Sequence, residues 1–369
     1  MKITFTKNED QLELIKAMAS RDNAVAHKAQ LALARFVSDA LGVALDNARV
    51  VSNLFEKMTF NSDDNPSIPL DVYYDITDQD YITVWHQSQA GGLAYNQTNP
   101  TDHELKLHTY SIETAAAFDR RHAARSRVDV ITKTFQKIAQ EILMWQEISS
   151  ANLLLGALAE ATTSGRKHVQ RANAAGEFKL HDFNQLVTLA DVIDTSWIGG
   201  TPVNEVGNVT DLMVSPLMAE KLRAMAYNPI STSTTELPGT EKFRDGIFAA
   251  GGGMSFYGIE VLKFKEFGKG KRFNTIFDTA AGTTAFTTAE GTGSAVFDGA
   301  AEEILVGIDR GREGLVRAVA VDSEFGNTNG IELGPDNQFV GRQKKIGFYG
   351  DMEEGRVVLD DRALFGVIV

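Results

Sequence analysis

The chain has 369 residues and no cysteine. Disulfides, thiol nucleophiles, zinc–thiolate sites and iron–sulfur clusters are therefore excluded. Uninterrupted apolar runs of about 18 residues are also missing, so the sequence predicts no transmembrane helix and no membrane partner. The first ten residues lack an apolar core and end in the acidic pair Glu9-Asp10. We therefore expect no signal peptide and a chain that folds in a cytoplasm.

Motifs for catalysis are equally scarce. None of the seven histidines shows His-Glu-x-x-His spacing, and His103 and His108 flank a strand on opposite faces. No Gly-x-Ser-x-Gly elbow occurs. The neighbouring carboxylates Glu302-Glu303 and Asp360-Asp361 diverge, so we expect them to be solvated. The sequence predicts no enzyme, no metal site and no cofactor.

Two glycine-rich segments are candidates for phosphate binding, Gly251-Gly252-Gly253 and Gly268-Lys269-Gly270-Lys271. Neither follows the Walker pattern, and neither is expected to open a helix after a strand. We interpret both as flexible turns. With Arg272, the second segment is also a candidate for a basic contact with a neighbouring molecule.

The formal net charge is −13, from 36 basic and 49 acidic residues. Such a chain is repelled by nucleic acid, so sequence-specific nucleic-acid binding is not expected. The charge is unevenly distributed, because Leu70 to Glu104 contains no Lys or Arg. It contains six acids: Asp71, Asp75, Asp78, Asp80, Asp102 and Glu104. A basic cluster follows: Arg120, Arg121, Arg125 and Arg127.

The apolar spacing predicts a succession of elements. Two helical stretches joined near residues 20–23 come first, followed by a long hairpin that needs a basic surface to lie on. A helix of about 35 residues, roughly 50 Å long, comes next. Its buried stripe is predicted to contain Ile131, Phe135, Ile138, Ile142 and Trp145.

The second half alternates helices and strands. A helix is predicted at 182–193, and a strand at 209–214 precedes a helix that begins at Pro216. Further strands are predicted at 258–264, 304–308 and 315–321. At the C-terminus, 344–349 is expected to form a hairpin with the segment from Val357 onward.

Taken in order, these elements resemble the major capsid proteins of tailed bacteriophages, the Hong Kong 97-like family. The run Val209–Leu222 is similar to the family's strand, Ser-Pro step and helix, and Tyr257-Gly258-Ile259-Glu260-Val261 is similar to its Tyr-Gly-Ile-Pro-Val step, with Glu260 in place of proline. The resemblance implies an α+β fold. Its expected segments are an N-terminal arm (1–66), an extended E-loop hairpin (67–112), a P-domain with a long spine helix (113–181), an A-domain (182–311) and a return to the P-domain sheet with C-terminal strands (312–369).

The resemblance also implies a function. The chain would self-assemble into pentamers and hexamers of an icosahedral shell around phage double-stranded DNA, as part of a virion assembled in the host cytoplasm. Expected partners are other copies of the chain, a portal protein and decoration proteins. A separate scaffolding protein is also expected, because the arm is short for a fused scaffold. The acidic hairpin of one subunit would lie on the four arginines of its neighbour.

Some relatives form a covalent crosslink between an E-loop lysine and an asparagine of a neighbour. Lys106 is the only lysine of this hairpin and lies near its base, so no crosslink is expected. Two alternatives stay open for the function, an encapsulin-type nanocompartment shell and a phage tail or sheath subunit. An enzyme ranks third because no supporting motif was found.

Overall fold

A computed structural model of the chain describes residues 9–48, 50–61, 64–69, 104–125, 128–163, 167–174, 176–193, 209–227, 254–291, 293–312, 314–321, 331–336 and 344–369. The helices are α1 (Glu9–Met18), α2 (Asn23–Ala48), α3 (Arg120–Ala124), α4 (Val128–Thr163), α5 (Leu180–Ile193), α6 (Pro216–Tyr227) and α7 (Arg272–Ala281). The described part of the chain is thus a mixture of helices and sheets, which confirms the α+β class.

The strands are numbered along the chain. They are β1 (Glu56–Asn61), β2 (Ser67–Pro69), β3 (Glu104–Lys106), β4 (Thr109–Asp119), β5 (Val169–Arg171), β6 (Asp211–Val214), β7 (Met254–Phe256), β8 (Ile259–Lys263), β9 (Ala285–Phe286), β10 (Ala295–Val296), β11 (Ile304–Ile308), β12 (Leu315–Val321), β13 (Glu332–Asp336), β14 (Lys345–Val358) and β15 (Leu364–Ile368). The predicted bounds of β11 and β12 are confirmed.

The contacts divide the chain into two compact units. The first comprises 1–67, 106–150 and 316–357. The second comprises 68–105, 151–315 and 358–369. The helix α4 runs through both, since it contains 36 residues from Val128 to Thr163. The five segments expected from the sequence stay a prediction.

The first unit contains a five-stranded sheet in the order β1-β12-β14-β13, with β4 also paired to β14. The pair β1–β12 is parallel, whereas β14 is antiparallel to both β4 and β13. A core of α1, α2 and α4 side chains packs on this sheet. Phe135 of α4 lies at its centre, with its ring centroid 5.1 Å from that of Phe348. This tilted contact is a favourable aromatic geometry and involves two fully buried rings.

The second unit contains a six-stranded sheet in the order β5-β15-β11-β6-β8-β7. The strands β11 and β15 are buried along their whole length. A strand that is buried on both faces has a continuous apolar sequence, as Ile304–Ile308 does. The helices α5 and α6 supply Phe183, Leu186 and Leu222 to the core.

The predicted C-terminal hairpin is wrong. β14 continues without a turn through Asp351–Gly355, because β4 lies opposite every residue from Lys345 to Gly355. The alternation of the sequence agrees with this, since Met352 and Glu354 are buried while Asp351 and Glu353 are half-buried. The final strand, β15, joins the sheet of the second unit instead.

The two predicted arm helices are confirmed as α1 and α2, and Arg120 fixes the end of α1. Its guanidinium donates to the carbonyl oxygen of Ala19, at 3.1 and 2.9 Å from Nε and Nη2, and also to that of Ser20. Terminal carbonyls of a helix have no partner within the helix, so an arginine there satisfies them and also opposes the negative end of the helix dipole.

We expect Arg120→Met to destabilise the arm by about 1–3 kcal/mol, since it leaves two half-buried carbonyl oxygens without their charged donor. Hydrogen exchange of the α1 and α2 amides measures this loss. Arg121→Met is the matched control, because the Arg121 side chain is 79% exposed. Equal protection of α1 in the two variants would refute the role of Arg120.

Candidate interaction surfaces

The predicted acidic surface of the hairpin falls mostly outside the described residues. Asp71, Asp75, Asp78, Asp80 and Asp102 are among the residues that the structure does not describe. Glu104 is described and exposed on β3, which pairs with β2. The pair β2–β3 joins the two ends of the predicted hairpin, and the hairpin itself stays a prediction.

The arginine cluster divides into members with different roles. Arg120 is committed to the carbonyls of the arm. Arg121 lies 3.7 Å from the carboxylate of Asp119, and Arg125 is exposed. Arg127 lies outside the described residues. Asp119 caps α3 by accepting a hydrogen bond from the Arg121 amide, and this bond holds the pKa of Asp119 below its ordinary value. Arg121 and Arg125 are therefore the described members that can reach a partner.

The exposed face of α4 also contains cations. Lys133 and Lys137 follow at helical spacing, and Met144 and Trp145 come two turns later. Trp145 is 60% exposed, which corrects the prediction that it is a core residue. We call Arg121, Arg125, Lys133, Lys137 and Trp145 the α4 surface. The acid Glu141 is also exposed, between Lys137 and Trp145. A large exposed aromatic residue on a helix is typical of an interaction site.

The buried stripe of α4 explains the error. It runs through Ile138 and Ile142 and then continues to Gln146 and Ser150 at steps of four, so that Trp145 is directed outward. Because two of its buried positions are polar, apolar spacing alone does not predict this part of the stripe. A cluster of polar partners on neighbouring strands satisfies them, which only the tertiary structure reveals.

Gln146 and Ser150 belong to a buried polar cluster. Gln146 Nε2 donates to Glu354 Oε2 at 3.1 Å, and Ser150 Oγ lies 2.7 Å from Ser52 Oγ. Arg356 Nη2 lies 2.8 Å from Glu354 Oε1, and both side chains are at most 2% exposed. Arg356 also donates to the Tyr110 hydroxyl at 2.5 Å. Burial, followed by the charge of Glu354, raises the pKa of Tyr110.

Glu147 adds a second anchor on the same turn of α4. Its carboxylate accepts hydrogen bonds from the amides of Val50, Val51 and Ser52, at 3.2, 2.8 and 3.3 Å. An ionised carboxylate that accepts several backbone amides forms strong bonds. These contacts fix the turn of α4 that presents Trp145, so its ring is held outward by a rigid base.

A second apolar surface lies between the arm and α4. Leu14, Leu33, Phe36 and Ile131 line a groove of about 330 Å³, with Asp10 and Gln11 at its edge. Phe36 is 56% exposed. Sequence spacing alone does not predict this groove, because α4 contributes Ile131 and is distant in the chain from α1 and α2.

Among the described residues, no group of three or more His, Asp or Glu side chains could hold a metal ion. His168 is fully buried, and its Nδ1 lies 2.9 Å from the carbonyl oxygen of Leu364, which is a structural contact. One described helix segment, Asp129–Ala161, is long and apolar enough to cross a membrane by composition. Core helices pass the same test, and its buried stripe packs inside the protein.

Several solved structures are similar to this chain. It is similar to the capsid of a native GTA particle (TM-score 0.49, 14% identity, 87% of this chain and 90% of that chain). It is also similar to the capsid of the cyanophage P-SCSP1u (TM-score 0.47, 11% identity, 87% and 88%). The SrpI encapsulin of Synechococcus elongatus gives a TM-score of 0.42 and 11% identity over 72% and 75%.

No protein-family description and no curated protein matches the chain.

We expect Glu354→Gln to lower the free energy of unfolding by about 3–5 kcal/mol, because it leaves the buried Arg356 charge without its counter-ion. Replacing both partners, Glu354→Gln with Arg356→Met, should cost less than the single change. Chemical denaturation of the full chain measures both. Glu113→Gln, at an exposed position of β4, is the control. A double variant less stable than the single one would contradict the buried ion pair.

Proposed function

We propose that the chain is a major capsid protein, a structural subunit that self-assembles into a closed icosahedral shell. The observation that carries the proposal is the succession of elements along the chain. Two arm helices, the base of an inserted hairpin, a 36-residue helix and two mixed sheets follow in the order that the sequence resemblance implies. Hexamers and pentamers are the capsomers expected for such a shell.

The described surfaces support a role in self-association. Trp145, Met144 and Phe36 are large apolar side chains that the first unit leaves about half exposed or more. Exposed apolar residues on rigid elements gain free energy when a partner covers them, and aromatic anchors contribute most. The apolar groove beside Phe36 is a further surface that another molecule could cover.

Charge suggests which part of a neighbouring copy covers the α4 surface. The hairpin segment from Leu70 to Glu104 has six acids and no basic residue, whereas the α4 surface contains four exposed cations and one exposed tryptophan. The segment also contains Tyr73, Tyr74, Tyr81 and Trp85. We propose that this segment of one subunit lies on the α4 surface of the next. Arg120 does not take part, because it holds the arm.

The remaining partners stay proposals as well. A separate scaffolding protein, a portal protein and decoration proteins would act on the assembled or assembling shell, and the virion would be formed in the host cytoplasm. The proposed role is structural and involves no catalysis. The buried Glu354–Arg356 ion pair and the contact of His168 with Leu364 are both internal contacts of the protein.

An encapsulin-type compartment is the second candidate, since an encapsulin is among the similar structures. Electron microscopy of the purified protein tests the proposal. Closed, uniform shells are expected. Shells that package double-stranded DNA in the native particle favour a capsid, and shells that enclose a protein cargo favour a compartment. Tubes would indicate a tail or sheath subunit and would refute the proposal.

The double variant Arg121→Glu, Arg125→Glu should reduce the yield of closed shells, because it reverses two charges that face the acidic hairpin. Each exposed pair contributes only about 0.2–1 kcal/mol, but the contact repeats in every subunit. Raising the salt concentration should reproduce part of the defect in the unaltered protein. Sedimentation separates shells from capsomers and measures the yield.

Trp145→Ser should have a similar effect at low and high salt, since it removes apolar contact area rather than charge. Two controls match these changes elsewhere on the surface. Arg21→Glu with Lys28→Glu reverses two exposed charges of the arm, and Leu217→Ser removes an apolar side chain that is 54% exposed on α6. Normal shells from both α4 variants would rule out the proposed contact.

A further inference from the structure

A basic loop joins β8 to α7 in the second unit. It spans Lys263–Arg272, with the sequence Lys-Phe-Lys-Glu-Phe-Gly-Lys-Gly-Lys-Arg, and we call it the basic loop. It has five cations and one acid in a chain of net charge −13. The sequence indicated a flexible turn that does not open a helix after a strand. That interpretation is wrong, because the loop follows β8 directly and Lys271 is the N-cap of α7.

Three buried phenylalanines anchor the loop from beneath. Phe264, Phe267 and Phe273 are at most 8% exposed. The ring of Phe273 lies 6.1 Å from that of Phe264 and 5.7 Å from that of Phe267, the latter edge to face. The aromatic residues therefore alternate with the cations in sequence, but the rings point into the core. The loop is attached to the second unit by its own side chains.

Hydrogen bonds hold the two glycines of the loop. Gly268, at a φ of 125°, donates its amide to Oδ1 of the fully buried Asn274 at 3.1 Å. A β-carbon at Gly268 would lie 3.3 Å from the β-carbon of Ser215, so that both φ and the close approach require glycine. Gly270 donates to the carbonyl oxygen of Gly299 at 2.8 Å. The loop is thus a fixed structure, not a flexible turn.

The cations of this fixed loop have no partner in the described part of the chain. The side chains of Lys263, Lys265, Lys269, Lys271 and Arg272 are all exposed, and none forms an ion pair or side-chain hydrogen bond with a described residue. Beside Gly270 and Arg272 lies an open cleft of about 580 Å³, which Thr275, Thr279 and Asn152 also line. Of the five cations, Arg272 is the one that lines this open cleft, and the four lysines are exposed elsewhere on the loop.

Nearby carboxylates do not neutralise the loop. Glu302 forms an ion pair with Arg171, and Glu303 is 2% exposed and accepts a hydrogen bond from Ser215. These contacts correct the prediction that both glutamates are solvated. Asp298 stays exposed, and its carboxylate accepts the Ala300 amide at 2.9 Å. The net charge of the basic loop is +4, from five cations and Glu266.

We propose that the basic loop binds the phosphate groups of a nucleic-acid backbone, without regard to base sequence. Lysine is depleted at protein–protein interfaces, whereas lysine and arginine supply most contacts to phosphates. The loop exposes no aromatic or aliphatic anchor that a protein partner would need, since its three rings are buried. It also offers no exposed ring on which a base could stack.

The overall acidity of the chain does not oppose this binding. Exposed charges are screened beyond about 8 Å at physiological salt, so a phosphate near the loop responds chiefly to the local cations. A contact of this kind is weak for one subunit. It becomes effective where many copies present the same loop to one polymer, because linked sites raise the effective concentration.

The test measures binding of the full-length chain to a fluorescent DNA duplex of mixed sequence at several salt concentrations. If about four phosphates are contacted, the logarithm of the binding constant should fall with that of the salt concentration with a slope of roughly −3.6. The variant Lys269→Gln, Lys271→Gln should bind about tenfold more weakly at low salt, and the slope should decrease in magnitude by about two. A duplex of different sequence should bind equally well.

The control is Lys133→Gln with Lys137→Gln, which removes the same charge from α4. An equal loss in this control would overturn the proposal, because net charge alone would then explain the binding. A peptide with the sequence of residues 70–104 serves as the competing partner. If the peptide binds through Lys269 and Lys271 and the duplex does not, the loop is a contact between copies of the chain. The measurement uses dissociated subunits, so its outcome is independent of shell formation.

Discussion

The helix α4 is the element on which most of the described structure depends. Its 36 residues include Ile131, Phe135 and Ile142 in the core of the first unit, and the fully buried Leu154, Leu155 and Leu158, which belong to the second unit. Fully burying side chains of this size contributes roughly 1.5–3 kcal/mol each, so that one helix supplies a large share of the hydrophobic stabilisation of both units. Because the buried residues must keep helical spacing throughout, insertions into this helix would displace one set of contacts or the other.

Polar residues determine what this helix presents to its surroundings. Gln146 and Ser150 occupy the buried stripe, and Glu147 holds the segment Val50–Ser52. Buried polar groups need hydrogen-bond partners of fixed geometry, whereas apolar packing tolerates small rotations. The polar cluster thus defines the rotation of this turn of the helix, and with it the outward position of Trp145. In the basic loop, too, buried residues determine the position of exposed ones. Buried phenylalanines and Asn274 fix the backbone, and the cations stay exposed.

The sequence predicts the helices and strands well, but it does not predict which strands pair with each other. Helical spacing located α1, α2, α4 and α5, and continuous β-branched runs located β11 and β12. These patterns depend only on residues close together in the sequence, so they can be recognised without the tertiary structure. Pairing is not local: β1 is parallel to β12, and β14 continues through an acidic segment that had the composition of a turn. Only the facing strand β4 makes that segment extended.

The candidate surfaces show the same limit. The arginine cluster was visible in sequence, but the role of Arg120 was not, because its acceptors Ala19 and Ser20 lie about a hundred residues earlier. Trp145 was assigned to the core because the polar members of the true stripe could not be recognised. The basic loop was interpreted as flexible, since glycine and lysine are frequent in turns. Its order comes from Phe264 and Phe267, whose burial depends on the tertiary structure.

The pairing of β1 with β12 has a consequence for biosynthesis. The N-terminal strand emerges from the ribosome long before its neighbour, and Ser38 of the arm bonds the carbonyl oxygen of Ile331, which lies 293 residues further along the chain. Contacts between such distant segments close slowly and leave apolar surface uncovered during translation. The first strand of the nascent chain therefore has no partner for its backbone until residues 315–321 have been synthesised.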